Sequence, residues 1–268
     1  MAANYLLNRW QEQCLVFKEN LFIIRRKITK TAVHDIRVAV KKLRSAAKLA
    51  GDFGTGSPPA FETILPFFKL TGKYRDVEMS LALLRKTGTA ENISCPSFLR
   101  HLKMMLTVTR LPVKEQAAPD YAGELEQATA QMELLLAGIS EEELNKKTAA
   151  LSADIINEVL SLQKEFSANA HPVRIKLKQL YYWLNQCPVN PFFDKKQMRK
   201  LNKTLTALGN WHDYYVINRK LRNFRKEYMV KGTDEYEKAK KLETVFSLVG
   251  DQWLADAAGK IKELIPEL

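Results

Sequence analysis

The fold class predicted for this chain of 268 residues is all-α, a duplicated helical bundle. Three observations lead there. Glycine and proline are few, 11 and 10, and mostly punctuate. Between them apolar residues recur at i, i+3, i+4 and i+7, and few alternating runs propose a strand. The chain also resembles itself at a spacing of 137 residues.

Taken in order, the breaks fall at GTGSPP (54–59), CPS (95–97), RLP (110–112), AAPD (117–120), HP (171–172), CPVNP (187–191), KG (231–232) and VG (249–250). They predict about ten to twelve helices. Ser57-Pro58-Pro59 and Ala118-Pro119-Asp120 read as helix entries. A hydrophobic share of 46% supports a large core, and no uninterrupted apolar run approaches the roughly 20 residues of a membrane span. The first residues, MAANYLLNRWQEQCLVF, show no basic region followed by a clean apolar segment, so no secretory signal is expected. Cys14, Cys95 and Cys187 are odd in number and widely spaced, which fits small core residues in a reducing cytoplasm.

The charge distribution says more. The net charge is +12, and it is not spread evenly. Residues 1–119 carry 20 basic and 9 acidic side chains, whereas 120–170 carry 3 and 10. Residues 171–232 return to 14 and 3, and the remainder holds 5 and 8. Two matched basic blocks separated by an acidic spacer suggest two matched structural units facing a polyanion.

Offsetting the chain by 137 residues aligns those blocks. His34 meets His171, Arg37 meets Arg174, Lys41 meets Lys178, Gly72 meets Gly209 and Asp76 meets Asp213. With only 4 histidines and 11 glycines available, the histidine and glycine pairs make chance a poor explanation. The two halves are expected at 1–138 and 139–268, together forming one domain.

On a helix at about 100° per residue, His34, Arg37, Lys41, Arg44 and Lys48 form one stripe opposite Ile36, Val40, Leu43 and Ala47. His171, Arg174 and Lys178 form the same stripe, continued by Tyr181 and Asn185. Like charges at i, i+4 repel, and a merely wet face would intersperse acids to relieve them. No acid interrupts this stripe, so it reads as an anion-binding surface. Arginines supply bidentate donors, lysines point charges and histidines further donors.

The second repeated element is LTGKYRDVEM (70–79) against LGNWHDYYV (208–216). Gly72 and Gly209 suit helix C-caps at a tight corner, with Asp76 and Asp213 near the start of the next helix. Lys73, Arg75 and His212 in these corners add to the basic lining. Two further one-sided sets, Lys196, Arg199 and Lys203, and Arg219, Arg222 and Lys226, extend the candidate polyanion contacts.

The residues HDIRVAVKKLRSAAKL with GKYRDVE, echoed by HPVRIKLKQLYYWL with LGNWHD, resemble the CHAD domain family over essentially the whole chain. The first-half motif, His-x-x-Arg-x-x-x-Lys-x-Leu-Arg, is a specific match. In the second copy Tyr181 stands where the family tends to carry a basic residue, and Asn185 replaces a usual glutamate. The resemblance implies two four-helix bundles related by a pseudo-twofold, their basic helices lining a shared surface or central channel. It further implies a stand-alone, non-catalytic module that binds inorganic polyphosphate or another phosphate-rich polyanion, polyphosphate granules included. No cofactor and no metal follow from it.

RNA or DNA is the rival partner, since phosphate contacts dominate affinity there too, and Tyr74, Tyr181, Tyr182 and Trp211 offer rings for stacking. No nucleic-acid motif accompanies them. The His-Asp pairs at 34–35 and 212–213 suggest a metal-dependent phosphohydrolase, but four scattered histidines and the cations around His34 oppose a divalent ion.

Overall fold

The computed structural model describes residues 2–52, 58–185 and 193–264. Among these residues the chain forms α1 (Ala2–Arg26), α2 (Lys30–Gly51), a short 3₁₀ helix (Pro59–Ile64), α3 (Leu65–Ala90), α4 (Pro96–Ala117), α5 (Ala122–Leu136), α6 (Glu141–Gln163), α7 (Phe166–Leu184), α8 (Lys195–Tyr228) and α9 (Asp234–Leu264). No strand occurs among the described residues.

The helices are fewer and longer than the ten to twelve expected, because three breaks are absorbed. Pro112 lies inside α4 and Pro172 inside α7. A proline within a helix costs about 3 kcal/mol, but Ala170, Val173, Leu177 and Leu180 are buried on one face of α7 across it. Burying such side chains contributes about 1.5–3 kcal/mol each, enough to hold the helix together. Gly250 lies within α9, where a β-carbon would stand 3.5 Å from the Tyr214 Cβ in ordinary contact with α8, so the packing continues across it. The CPVNP segment and most of GTGSPP lie outside the described residues.

Other ends follow local chemistry. Thr29 starts α2, its hydroxyl accepting from the Ala32 amide at 3.1 Å. Ser140 with Glu143, and Asp194 with Gln197, form reciprocal capping boxes on α6 and α8. Gly138 and Gly232, at φ of 84° and 88°, turn the chain after α5 and α8 in the left-handed conformation glycine tolerates.

Packing partners recur between the halves. The pairs α1–α2, α2–α3 and α3–α4 have counterparts in α6–α7, α7–α8 and α8–α9. Equivalent helices also meet across the halves, α2 against α7 and α3 against α8. At the first crossing the Trp183 indole N–H donates to the Ser45 carbonyl at 3.1 Å.

Two hydrophobic cores result. The larger draws on α1, α2, α5, α6, α7 and the N-terminal halves of α3 and α8. The smaller joins Val77, Leu81 and Leu84 of α3 and Phe98 and Leu102 of α4 to Ile217 and Leu221 of α8 and Leu242 and Phe246 of α9. It is therefore built equally from both halves of the sequence.

The helix α8 spans both cores, and its buried face changes sides on the way. Leu201, Leu205 and Leu208 enter the larger core, while Tyr214, Ile217, Leu221 and Phe224 enter the smaller. At about 100° per residue these sets lie on roughly opposite sides of the helix. The changeover falls at Gly209–Asp213, and in α3 the core likewise changes between Tyr74 and Val77. These two changeovers frame the candidate site.

Candidate functional site

The sequence motifs place Gly72 and Gly209 at corners, and the structure corrects this: both lie inside helices, α3 and α8. The physical reason is clear for Gly72. The Arg37 guanidinium lies against it, with Nη1 only 2.7 Å from where a β-carbon would stand. Nη1 donates to the Phe68 carbonyl at 2.9 Å and to the Thr71 hydroxyl at 3.4 Å, and the guanidinium sits 4.6 Å above the Phe68 ring. No such neighbour crowds Gly209. Asp76 and Asp213 are likewise mid-helix, so their charge answers side chains across the helix contacts rather than a helix dipole.

Five cations converge where α2, α3, α7 and α8 meet. They are Arg37 and Lys41 on α2, Arg75 on α3, and Arg174 and Lys178 on α7. Arg75 reaches across the halves to the Asp213 carboxylate at 3.5 Å and lies 3.7 Å from Asp76. Burial would raise the Asp213 carboxyl, but His212 and Arg75 outweigh it and hold the group below its ordinary value. Arg37 and Arg174 are largely withdrawn from water, and the Nε of each lacks a hydrogen-bond partner.

The two lysines carry the clearest sign of strain. Neither has a carboxylate within 4 Å among the described residues. Burial, with Arg37, Arg75 and Arg174 nearby, pushes the Lys41 ammonium down to about 8. Burial with Arg174, Lys41 and Arg75 pushes Lys178 down to about 7. A cation withdrawn from water is expensive unless a partner compensates it, and here five cations outnumber the carboxylates of Asp76, Glu78 and Asp213 that act on them.

The histidines ring this cluster. The His171 and His212 rings stack at 5.4 Å, and burial, then His212, Arg174 and Lys178, lower the His171 imidazole. The Nδ1 of His212, 3.9 Å from Asp213, lacks a hydrogen-bond partner. His34 is exposed, and burial of its inner part together with Arg75, Lys41 and Arg37 outweighs Asp35 to lower it as well.

The remaining candidates are placed outside the cluster. Arg44 and Lys48 continue along α2, 6.0 Å from the Phe68 ring and 5.6 Å from the Trp183 ring. Lys73 is exposed on α3. Lys196, Arg199 and Lys203 are exposed on the side of α8 away from Leu201, Leu205 and Leu208. Arg219, Arg222 and Lys226 are exposed on the C-terminal half of α8, with Arg222 3.8 Å from Glu243 and Arg219 6.0 Å from the Tyr215 ring.

Lys220 escaped the reading of the sequence, while Tyr182, Asp76 and Asp213 were read there in other roles. Tyr182 lies among the cations, where burial pushes its phenol up. Lys220 donates from α8 to the Asp76 carbonyl at 3.0 Å and the Ser80 hydroxyl at 3.3 Å, tying α8 to α3. Asp76 and Asp213 belong to the site itself, and their recurrence at the 137-residue offset was the available signal.

Among the described residues no group of three or more His, Cys, Asp or Glu is placed to hold a metal ion, and no helix is long and apolar enough to cross a membrane. The sequence profile of the CHAD domain matches residues 10–222. The fold is similar to the crystal structure of the CHAD domain from the plant Ricinus communis, with a TM-score of 0.70 and 18% identity over 92% of this chain and 86% of that one. No curated protein matches significantly.

Proposed function

We propose that this chain, which belongs to the CHAD domain family, binds inorganic polyphosphate or a similar phosphate-rich polyanion without chemistry of its own. One observation carries the reading: half-buried Lys41 and Lys178 stand among Arg37, Arg75 and Arg174, and these cations outnumber the carboxylates of Asp76, Glu78 and Asp213 that act on them. A phosphate chain supplies negative charge to this cluster, and its oxygens accept from the ammonium groups of Lys41 and Lys178, which line an open cavity.

The recurring helix pairs support a pseudo-twofold duplication of α1–α4 in α6–α9, with α5 an extra helix of the first half, 1–138, against 139–268, and α2 and α7 side by side at the axis. Two equivalent cation sets across such an axis form one continuous track, so a long ligand gains affinity from both. Arg44, Lys48, Lys73, Arg219, Arg222 and Lys226 extend the track outward. Cys14 and Cys95, free and buried, fit a reducing cytoplasmic setting.

Titration calorimetry with polyphosphates of several lengths, with single-stranded RNA as competitor at matched phosphate and salt, tests this. Long-chain polyphosphate is expected to win. Changing Arg37, Lys41 and Arg174 together to glutamate should weaken binding by about 100-fold or more, since each loses a charge-assisted contact. A folded triple variant that binds long-chain polyphosphate undiminished sinks the site assignment, and preferential RNA binding sinks the ligand assignment.

A further inference from the structure

A cavity of about 640 Å³ opens beside the cation cluster and shares Lys41 and Lys178 with it. Its walls differ in kind from the cluster. From Lys41 it follows α2 past Arg44 and Lys48 to Asp52, a run of roughly 16 Å at 1.5 Å per residue. Phe61 and Glu62 from the 3₁₀ helix, Phe68 from α3, and Ile175 and Tyr182 from α7 line it as well. The cavity thus carries cations at Lys41 and Lys178 and along α2 at Arg44 and Lys48, has apolar and aromatic walls from Phe61, Phe68 and Ile175, and holds the carboxylates Asp52 and Glu62 as well.

An inorganic phosphate chain matches only the cationic part of that lining. Such a chain is charged at every unit, so Lys41, Lys178, Arg44 and Lys48 attract it, but Asp52 and Glu62 oppose it. Nor do phosphate oxygens gain anything from Phe61, Phe68 or Ile175. The matching ligand has its charge at one end and an uncharged, ring-bearing body with hydroxyl or amine donors at the other. The volume lies in the range of cavities that enclose such a molecule.

We infer that this cavity is a nucleotide site, taking the phosphates of a nucleoside di- or triphosphate at Lys41 and Lys178 and its base and sugar against the apolar wall formed by Phe68, Ile175 and Tyr182. Asp52 and Glu62 then accept hydrogen bonds from sugar hydroxyls or an exocyclic amine. The inference rests on the polyanion reading of the cluster, because the same two lysines serve both ligands. A bound nucleotide therefore occupies the lysines that a polyphosphate chain needs, and the two ligands exclude one another there.

The test compares ATP with inorganic tripolyphosphate on the full chain in magnesium-free buffer. Tripolyphosphate carries at least as much negative charge, so charge alone makes it the equal or better ligand. The cavity predicts the reverse, with ATP tighter by about tenfold through burial of its body. Ile175→Trp fills the cavity from a position that is 49% exposed, so the helix tolerates it. It should abolish the ATP advantage and leave long-chain polyphosphate binding unchanged. Equal or weaker binding of ATP overturns the nucleotide site and leaves the polyphosphate reading standing, as does an ATP advantage that survives Ile175→Trp. Loss of all binding, long-chain polyphosphate included, overturns both.

Discussion

At Gly72 the α3 helix gives up a side chain so that a guanidinium can lie against its backbone. Glycine inside a helix is worse than alanine by about 1 kcal/mol, and here Arg37 occupies the space. Gly72→Ala displaces only the far end of a flexible arginine, so the helix-propensity gain and the lost Arg37 contacts should nearly cancel in stability. Its polyphosphate affinity should nevertheless fall by about tenfold, as the charge-assisted contact of Arg37 is lost. Gly209→Ala meets open space and should stabilise by up to about 1 kcal/mol without touching affinity. Chemical denaturation beside calorimetry checks both, and wild-type affinity in Gly72→Ala would refute the role assigned to the glycine.

The lysines make a second prediction at this scale. An unfolded chain titrates lysine near about 10.4, whereas the folded chain holds Lys41 down to about 8 and Lys178 down to about 7. Between about pH 7 and about pH 10 the unfolded state therefore binds more protons, and the unliganded fold gains stability as pH rises through that window. Binding a polyanion has the opposite sign, because it favours the charged ammonium. At pH 8 the complex should take up protons, and affinity should decline as pH rises from about 7 to about 9. Calorimetry at pH 8 in two buffers of different ionisation enthalpy reads this directly. Identical heats in both would mean that neither lysine meets the ligand.

At the scale of elements, α8 decides which cations matter. Its buried side rotates between Leu208 and Tyr214, so Lys196, Arg199 and Lys203 face solvent on a different side from His212 and Asp213. Reversing those three to glutamate removes only long-range attraction, which 0.15 M salt screens beyond about 8 Å. The expected loss in polyphosphate affinity is a few-fold, against about 100-fold for the Arg37, Lys41 and Arg174 set. A comparable loss from both triples would mean that the track runs along the outer face of α8. The stripe on α2 was legible from sequence because helical periodicity determines which side chains share a face. The rotation of α8 was not, since it arises from two cores that recruit one helix on opposite sides. For the same reason the motif around Gly72 and Gly209 reads as a corner locally, while the surrounding packing keeps both helices intact.

Over the whole molecule, the larger core secures the framework and the junction of the two halves bears an uncompensated charge. Unfolding disperses that charge, so the unliganded protein is held below the stability its core would allow. Long-chain polyphosphate should raise the thermal midpoint, by an amount that grows with ligand concentration. The shift should shrink steeply with salt, since affinity for a polyanion falls by about tenfold or more between 50 and 200 mM when several ion contacts are made. Thermal unfolding at three salt concentrations measures it, and a salt-independent shift would contradict an electrostatic site.

The sequence by itself determined the helical class, the duplication at 137 residues and the membership of His34, Arg37, Lys41, His171, Arg174 and Lys178 in two matched stripes. Those properties are periodic or repeated, and periodicity is written along the chain. Only the tertiary structure decided that Arg37 lies on Gly72, that Arg75 reaches Asp213 across the halves, and that Lys41 and Lys178 share one half-buried place. These contacts join residues that lie far apart in sequence, and the charge balance of such a place depends on how closely the helices bring them together. Spacing along one helix shows which cations point the same way. Packing of α2 against α7 gathers them into one place where cations outnumber carboxylates.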